Sequence, residues 1–238
     1  TSRIASLHFA PTEWAAANLR SEGVPASAIH VTGNTSIDAV LLVRDWLESG
    51  ELAGADLPGL DPERKLILVT AHRRESFGEP FERICAALAR LASRRDVQIV
   101  YPVHPNPSVR EPVERLLAGV PNVLLTAPLE YAPFVDLMRR AYLILTDSGG
   151  IQEEAPTLGK PVLVLREKTE RPEAVLAGTV KLAGTCVDTI VCEATRLLDD
   201  PAAHKAASRV HNPYGDGRAS CLISDLSVSF IKNNPVNY

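Results

Sequence analysis

A glycine-containing segment with residue types that bind phosphate directly follows an apolar run. It occupies residues 146–154 and reads TDSGGIQEE. The hydroxyl of Ser148 and the backbone amides at Gly149 and Gly150 are donors suited to phosphate oxygens, and glycine lets a ligand approach the backbone closely. Glu154, one helical turn later, is placed to accept hydrogen bonds from paired hydroxyls such as those of a ribose. The alternative is a tight strand-to-helix turn in which the glutamates only complement the helix dipole.

A basic segment, TAHRRE at residues 70–75, follows a second apolar run. The imidazole of His72 can hydrogen-bond a phosphate or transfer a proton. Nearby positive charge on Arg73 and Arg74 favours its neutral form. The alternative is a structural histidine followed by two solvated arginines.

Two further segments carry a single candidate residue each. Residues 101–107 read YPVHPNP and place His104 in a rigid loop, which is interpreted first as an ordinary proline-punctuated turn. Residues 169–174 read TERPEA and place Arg171 just ahead of a proline at the start of a helix. Arg171 suits a bidentate contact with phosphate or a diol, and a surface salt bridge is equally compatible with the pattern.

The elements that position these segments alternate from residue 61 onward between short β-branched runs and longer amphipathic stretches. This alternation predicts an α/β fold with a Rossmann-like parallel sheet wrapped by helices. Strands are predicted at 65–70, 97–103, 122–125, 142–146, 161–165 and 180–183. Helices are predicted at 81–91, 107–117, 132–140, 150–158, 172–177 and 187–198. Since ligands bind beyond the carboxyl ends of parallel strands, the polar segments are expected at one edge of the sheet.

The first sixty residues have a different character. They predict a helix over 13–22, capped by Thr12, and a short strand over 29–32, which together cannot bury a core of their own. We therefore expect four segments. They are the trailing part of a largely missing N-terminal domain (1–38), a linker (39–60), a C-terminal sheet domain (61–208) and a final segment (209–238).

Composition excludes several classes of protein. The chain has 238 residues, of which 45% are hydrophobic, so a disordered or fibrous protein is excluded. A net charge of −4 provides no global field for nucleic acid or anionic lipid, and no apolar run approaches the roughly 20 residues that span a bilayer. We expect a cytoplasmic protein with no nucleic-acid or membrane partner. The four cysteines have neither the spacing of metal ligands nor that of a disulfide framework, so no metal is expected.

Six strings, in this order, closely resemble the non-hydrolysing bacterial UDP-N-acetylglucosamine 2-epimerases. They are TEWAA at 12–16, VTGNT at 31–35, TAHRRE at 70–75, DSGGIQEEAP at 147–156, TERPEA at 169–174 and NPYGDG at 212–217. The resemblance spans about residues 5–220 and implies a glycosyltransferase-B-type arrangement of two Rossmann-like domains with the nucleotide sugar between them. This chain resembles the second domain together with the end of the first.

The resemblance implies roles for individual residues at the nucleotide. Ser148, Gly149 and Gly150 match the positions that hold the UDP diphosphate. Glu154 matches the carboxylate on the ribose, and Arg171 matches an arginine that contacts the nucleotide.

The resemblance also implies roles for four residues outside the glycine-containing segment. Phe134 matches a residue whose backbone meets the uracil, and His72 matches a histidine that is important for activity and lies near the diphosphate. Arg73 and His104 match contributors to a second, regulatory UDP-N-acetylglucosamine site.

The implied reaction inverts C2 of the sugar without a cofactor. UDP-N-acetylglucosamine loses its C2 proton and UDP to give 2-acetamidoglucal, and re-addition of both gives UDP-N-acetylmannosamine. In the family, the acid–base carboxylates, with an arginine and a lysine, belong to the first domain. We therefore expect this chain to bind UDP weakly and not to turn over; family membership also implies a homodimer.

Three alternatives remain open on the sequence alone. A glycosyltransferase of the same fold would use a similar nucleotide site but has no general need for the cluster at 72–75. A hydrolysing epimerase is usually fused to a kinase, and no kinase segment is present. A non-catalytic nucleotide-sugar-binding protein would retain the same second-domain site.

The carboxyl end departs from the family pattern. Residues 222–231 keep apolar spacing but are rich in serine and β-branched residues, which predicts a poor helix. In the family, the segment corresponding to 209–238 crosses back to the first domain.

Overall fold

The elements of the fold form two parallel sheets, which a computed structural model describes for residues 4–209 and 211–234. The strands are β1 (His8–Ala10), β2 (Ile29–Val31), β3 (Lys65–Thr70), β4 (Val97–Pro102), β5 (Val123–Thr126), β6 (Leu143–Thr146), β7 (Val162–Val164) and β8 (Val180–Leu182). The helices are α1 (Glu13–Ser21), α2 (Thr35–Ser49), α3 (Glu79–Ala92), α4 (Pro107–Leu117), α5 (Tyr131–Arg140), α6 (Gly149–Glu154), α7 (Pro172–Leu176), α8 (Val187–Asp199), α9 (Pro201–Ser208) and α10 (Ala219–Asn233).

The larger sheet has the strand order of doubly wound nucleotide-binding proteins. Its order is β5-β4-β3-β6-β7-β8 and every neighbouring pair is parallel, whereas β1 pairs with β2 in a separate two-stranded sheet. The direction of winding reverses between β3 and β6, where Thr70 is paired with Thr146. The segments that follow these two strands therefore leave the sheet at its topological switch point, where such folds bind ligands.

Apolar side chains cover both faces of the larger sheet. One buried cluster contains residues of α3, α4 and α8, and the other contains residues of α2 and α5. Phe81 and Ile84 of α3 are fully buried on the first face, and Ile37 and Val40 of α2 are fully buried on the second. Two covered faces explain why the strands are nearly continuous apolar runs.

The predicted α/β fold with a Rossmann-like parallel sheet is confirmed. Each of the six predicted strands is present, with ends that differ by at most one residue from the prediction. The six predicted helices from α3 to α8 are also present, although the one predicted over 150–158 is α-helical only to Glu154 and then tightens into a 3-10 turn over Ala155–Leu158. Thr12 caps α1 as predicted, since its hydroxyl accepts from the amide of Ala15 at 3.1 Å.

The prediction of a linker over residues 39–60 is wrong for its first half. Residues 39–49 belong to α2, which is capped by Asn34 and buries Ile37 and Val40 against the larger sheet. The composition typical of a linker is confined to residues 49–59. The residues of α2 instead have apolar side chains at helical spacing. The division into domains stays a prediction, and residues 1–3, 210 and 235–238 of its outer segments lie outside the described residues.

The prediction of a poor helix over residues 222–231 is also wrong. These residues lie within α10, whose first amides, those of Ala219 and Ser220, donate to the carboxylate of Asp38 at 3.1 and 2.8 Å. A carboxylate from α2 thus satisfies donors that a helix of weak intrinsic propensity leaves free at its start. Propensity is overridden by a contact 181 positions distant in the sequence.

Gly33 joins the N-terminal segment to the loop over residues 212–217 by direct backbone contact. Its φ is +83°, and an added β-carbon would lie 3.1 Å from the carbonyl oxygen of Tyr214 and 3.3 Å from Cα of Gly215. The next amide, of Asn34, donates to the same carbonyl at 2.8 Å. An added β-carbon would therefore force the backbone of residues 214–215 to shift.

We predict that Gly33→Ala lowers the free energy of unfolding by about 2 kcal/mol, because it combines a left-handed conformation with a backbone collision. Gly23→Ala is the matched control: its φ is +86°, but nothing lies within 4 Å of an added β-carbon. The control should lose only about 1 kcal/mol. Urea denaturation of both variants measures the difference, and equal losses would show that the contact with residues 214–215 adds nothing to stability.

Candidate active site

The loops after β3 and β6 are tied together at the carboxyl edge of the larger sheet. The hydroxyls of Thr70 and Thr146 lie 2.6 Å apart, and the amide of Asp147 donates to the carbonyl of Thr70 at 3.0 Å. Both predicted polar segments therefore start from one fixed point, as the parallel topology requires.

Asp147 connects these two loops, a role that sequence reasoning missed. Its side chain is fully buried, and Oδ2 accepts from the amides of His72 and Arg73, each at 2.7 Å. Oδ1 lies 3.6 Å from Nδ1 of His72. The available signal was its place as the first residue after a buried strand, at a sheet edge where ligands bind.

The surroundings of His72 lower its pKa and so favour its neutral form. Burial lowers its pKa most strongly, the charges of His104 and Arg73 lower it further, and the carboxylate of Asp147 opposes them. The predicted effect of neighbouring arginine charge is thus present but secondary to desolvation.

One cleft of about 390 Å³ brings together the predicted catalytic histidine and the predicted regulatory pair. It is lined by His72, Arg73, Arg74, Glu75, His104 and Asn106. The rings of His72 and His104 are stacked, with centroids 5.3 Å apart and planes 12° apart. The proline-rich loop before α4 therefore does more than turn the chain, because it forms one wall of this cleft.

Gly149, the first residue of the glycine pair, lies beneath converging charged side chains. A β-carbon added to Gly149 would lie 2.8 Å from Oε1 of Glu170, 3.5 Å from Nη2 of Arg171 and 3.6 Å from Nη2 of Arg73. Gly149 is buried and Gly150 is exposed. Two guanidinium groups thus stand next to the backbone donors that the sequence pointed to.

Ser148 precedes the glycine pair at the start of α6. Its amide donates to Oγ1 of Thr146 at 2.9 Å, which fixes the backbone at the turn. Among the described residues its hydroxyl caps no helix amide, so the group is available to a ligand.

Glu170 holds Arg73 at the edge of this site. Arg73 donates to its Oε1 at 3.0 Å, and Arg166, whose side chain is only 10% exposed, donates to its other oxygen and to Glu75. Burial alone would raise the pKa of Glu170, but its backbone hydrogen bond and the charges of Arg166 and Arg73 outweigh burial and lower it. Glu170 and Arg166 were not recognised from sequence, because their partners lie far away along the chain.

Arg171 pairs with a buried carboxylate and does not form the surface salt bridge that the sequence pattern also allowed. Its Nε donates to Oε1 of Glu153, whose side chain is 8% exposed, and Asn34 donates to the other oxygen at 2.5 Å. Burial raises the pKa of Glu153, and the charge of Arg171 opposes the rise. The pair links α6, the start of α7 and the segment before α2.

Glu154 and Phe134 occupy neighbouring helices. The hydroxyl of Tyr131 on α5 donates to Oε2 of Glu154 on α6 at 3.3 Å. Burial chiefly raises the pKa of Glu154 to about 7, with a further rise from Glu153 and an opposing effect of the Tyr131 hydrogen bond. Phe134 is half-buried, and its amide donates to the carbonyl of Glu130 at 3.0 Å.

The described residues include no cluster of three or more side chains arranged to hold a metal ion. None of the helices within residues 4–209 and 211–234 combines the length and hydropathy of a membrane span.

Comparison with known proteins gives one consistent family. The family model for UDP-N-acetylglucosamine 2-epimerase matches residues 1–226. A probable UDP-N-acetylglucosamine 2-epimerase from Ralstonia nicotianae is 61% identical over 229 residues, which cover 94% of this chain and 61% of that protein. The enzyme from Escherichia coli K12 is 57% identical over 242 residues, which cover 100% of this chain and 63% of that protein. The chain thus spans about three fifths of the length of these relatives.

Solved structures agree with this family. The UDP-GlcNAc 2-epimerase from Neisseria meningitidis, bound to UDP-GlcNAc, aligns with a TM-score of 0.89 at 46% identity and covers 96% of this chain and 63% of that one. The S. aureus MnaA–UDP structure aligns with a TM-score of 0.87 at 42% identity and covers 100% and 65%.

Proposed function

Because this chain belongs to the UDP-N-acetylglucosamine 2-epimerase family, we propose that its carboxyl-edge site binds the UDP part of UDP-N-acetylglucosamine during conversion to UDP-N-acetylmannosamine. The observation that carries the proposal is the convergence of Arg73 and Arg171 on Gly149. The relatives crystallised with UDP-GlcNAc and with UDP support the choice of nucleotide.

The chemistry requires strong stabilisation of a departing diphosphate. A base removes the C2 proton, the C1–C2 double bond forms, and UDP leaves with the electron pair of its C1–O bond. Re-addition of UDP, with a proton delivered to the opposite face of C2, completes the inversion. Since the C2 proton is only weakly acidic, donors aimed at the leaving group must supply much of the rate enhancement.

This chain supplies those leaving-group donors. Ser148 offers its hydroxyl, Gly149 and Gly150 offer backbone amides, and Arg73 and Arg171 offer guanidinium charge beside them. His72 lines the cleft that also contains Arg73, and its neutral ring accepts a hydrogen bond or moves a proton there.

The nucleoside is assigned to the neighbouring helices. Glu154, when ionised, accepts from the ribose hydroxyls. Phe134 meets the uracil through its carbonyl oxygen, because its amide already donates to Glu130.

Regulation and assembly are further parts of the proposal. Arg73 and His104 contribute to a second UDP-N-acetylglucosamine site beside the first, since both line the cleft that contains His72. The resemblance also supports a C-terminal sheet domain that begins at residue 61, a homodimer and a cytoplasmic location.

Ser148→Ala tests the diphosphate site. Loss of one hydroxyl donor should weaken UDP binding about fivefold, or about 1 kcal/mol, in isothermal titration calorimetry. Ser93→Ala is the control, because Ser93 follows the last residue of α3 at the opposite edge of the sheet and its hydroxyl donates to the carbonyl of Arg90 at 2.7 Å. Unchanged UDP affinity in Ser148→Ala would show that this hydroxyl does not bind the diphosphate.

The 238-residue polypeptide is expected to bind UDP without turning over UDP-N-acetylglucosamine. The acid–base carboxylates implied by the resemblance belong to the first domain, and this chain resembles mainly the second. NMR of the anomeric sugar signals follows the reaction. Accumulation of UDP-N-acetylmannosamine would show that this polypeptide alone is sufficient for both proton transfers.

A further inference from the structure

We propose that Asp147 is a positioning residue that keeps the proton of neutral His72 on Nδ1 and leaves Nε2 free to accept from the bound nucleotide sugar. The role of Nε2 rests on the proposed function, whereas the position of the proton does not.

The two oxygens of Asp147 have different surroundings. Oδ2 is occupied by the amides of His72 and Arg73 at 2.7 Å each, so the carboxylate cannot rotate without losing both bonds. Oδ1 is buried and has no hydrogen-bond partner among the described residues. Nδ1 of His72 lies 3.6 Å from it.

A buried carboxylate oxygen is strongly favoured to accept a hydrogen bond. A shift of less than about 1 Å in the ring brings Nδ1–H within hydrogen-bond distance, whereas the other tautomer would face Oδ1 with a lone pair. Arg73 and His104 are the other groups whose charges act on His72, and Arg74 and Glu75 line the same cleft. A carboxylate behind one ring nitrogen fixes which nitrogen carries the proton, and this is how histidines are commonly oriented in functional sites.

The test is the tautomer of His72 in the full 238-residue chain. Two-bond ¹H–¹⁵N correlation spectra of ring-labelled protein distinguish protonated from unprotonated ring nitrogens, and His72→Gln assigns the signal. The expected result for the unaltered chain at neutral pH is Nδ1–H as the major form. A major Nε2–H form would overturn the proposal without any need for a variant at position 147.

Asp147→Asn is expected to reverse the tautomer preference of His72, which a merely structural role of Asp147 would not do. The amide oxygen retains the two backbone bonds, so the NH₂ group faces Nδ1 and donates to it, which shifts the major form to Nε2–H. Asp136→Asn is the control, because Asp136 is another buried aspartate that accepts from a backbone amide, that of Ala55, at 3.0 Å, and its hydrogen-bonding side-chain partners among the described residues are Arg139 and Arg140. A His72 tautomer that is unchanged in Asp147→Asn would overturn the proposal.

UDP titration of the unaltered chain separates this inference from the proposed function. Nδ1–H on His72 without UDP binding would contradict the nucleotide site and leave the positioning intact. UDP binding with Nε2–H on His72 would contradict the positioning alone.

Discussion

Arg171→Ala is expected to lower the free energy of unfolding and to weaken UDP binding at the same time. Removal of the guanidinium leaves the buried carboxylate of Glu153 with Asn34 as its remaining partner. An uncompensated buried charge of this kind costs about 3 kcal/mol, the lower end of the usual range, because the Arg171 side chain is itself 31% exposed. Loss of one charge-assisted hydrogen bond to the diphosphate should weaken UDP binding about 30-fold, or about 2 kcal/mol.

A second substitution separates the two effects. Adding Glu153→Gln to Arg171→Ala replaces the stranded carboxylate with a neutral amide that still accepts from Asn34, so most of the lost stability should return. UDP affinity should not return, because the guanidinium is still absent. Urea denaturation and isothermal titration calorimetry of the single and double variants measure both quantities. Recovery of UDP affinity in the double variant would show that Arg171 acts only by holding Glu153 and does not contact the nucleotide.

The pH dependence of the stability loss provides a further check on its cause. Burial already raises the pKa of Glu153, and removal of Arg171 raises it further because an opposing charge is lost. The difference in unfolding free energy between the original chain and Arg171→Ala should therefore shrink as the pH falls and Glu153 becomes protonated. A constant difference would point to lost packing of the arginine stem as the cause.

The larger sheet could be predicted from the sequence because its signal is local. A strand covered on both faces is a continuous apolar run, and residues 66–69 at the centre of β3 have that pattern. Helix α10 could not be predicted in the same way, because its start depends on Asp38. The helical half of the predicted linker was missed because the glycine and proline composition after residue 49 dominated the interpretation.

The sequence predicted which residues form the candidate site but not which of their side chains pair with one another. Spacing places Ser148 and His72 at strand ends, and parallel topology brings strand ends together. Which charges then meet depends on side-chain reach across the folded chain. Asn34 and Glu153 are 119 positions apart, and no local pattern links them. Asp147 was likewise visible in its segment, but its contact with His72 exists only after β3 and β6 pair.

UDP binding should strengthen about tenfold as the pH rises from 6 to 8, through the pKa of about 7 that burial gives Glu154. Only the ionised carboxylate offers all its lone pairs to the ribose hydroxyls, and its ionised fraction rises from about one tenth to about nine tenths over this range. The same shift affects stability with the opposite sign. Because the pKa is raised in the folded chain, the stabilising contribution of protonated Glu154 is lost as the pH rises through about 7.

The terminal phosphate of UDP also titrates near this range, so the contribution of Glu154 requires a variant without its charge. Glu154→Gln should reduce the pH dependence of UDP affinity to what the phosphate supplies. Tyr131→Phe should move the Glu154 component to higher pH, because the Tyr131 hydroxyl stabilises the carboxylate and its hydrogen bond lowers the pKa. Calorimetric titrations at pH 6, 7 and 8 compare the three proteins. If UDP affinity depends on pH in Glu154→Gln as it does in the original chain, the ribose does not contact this carboxylate.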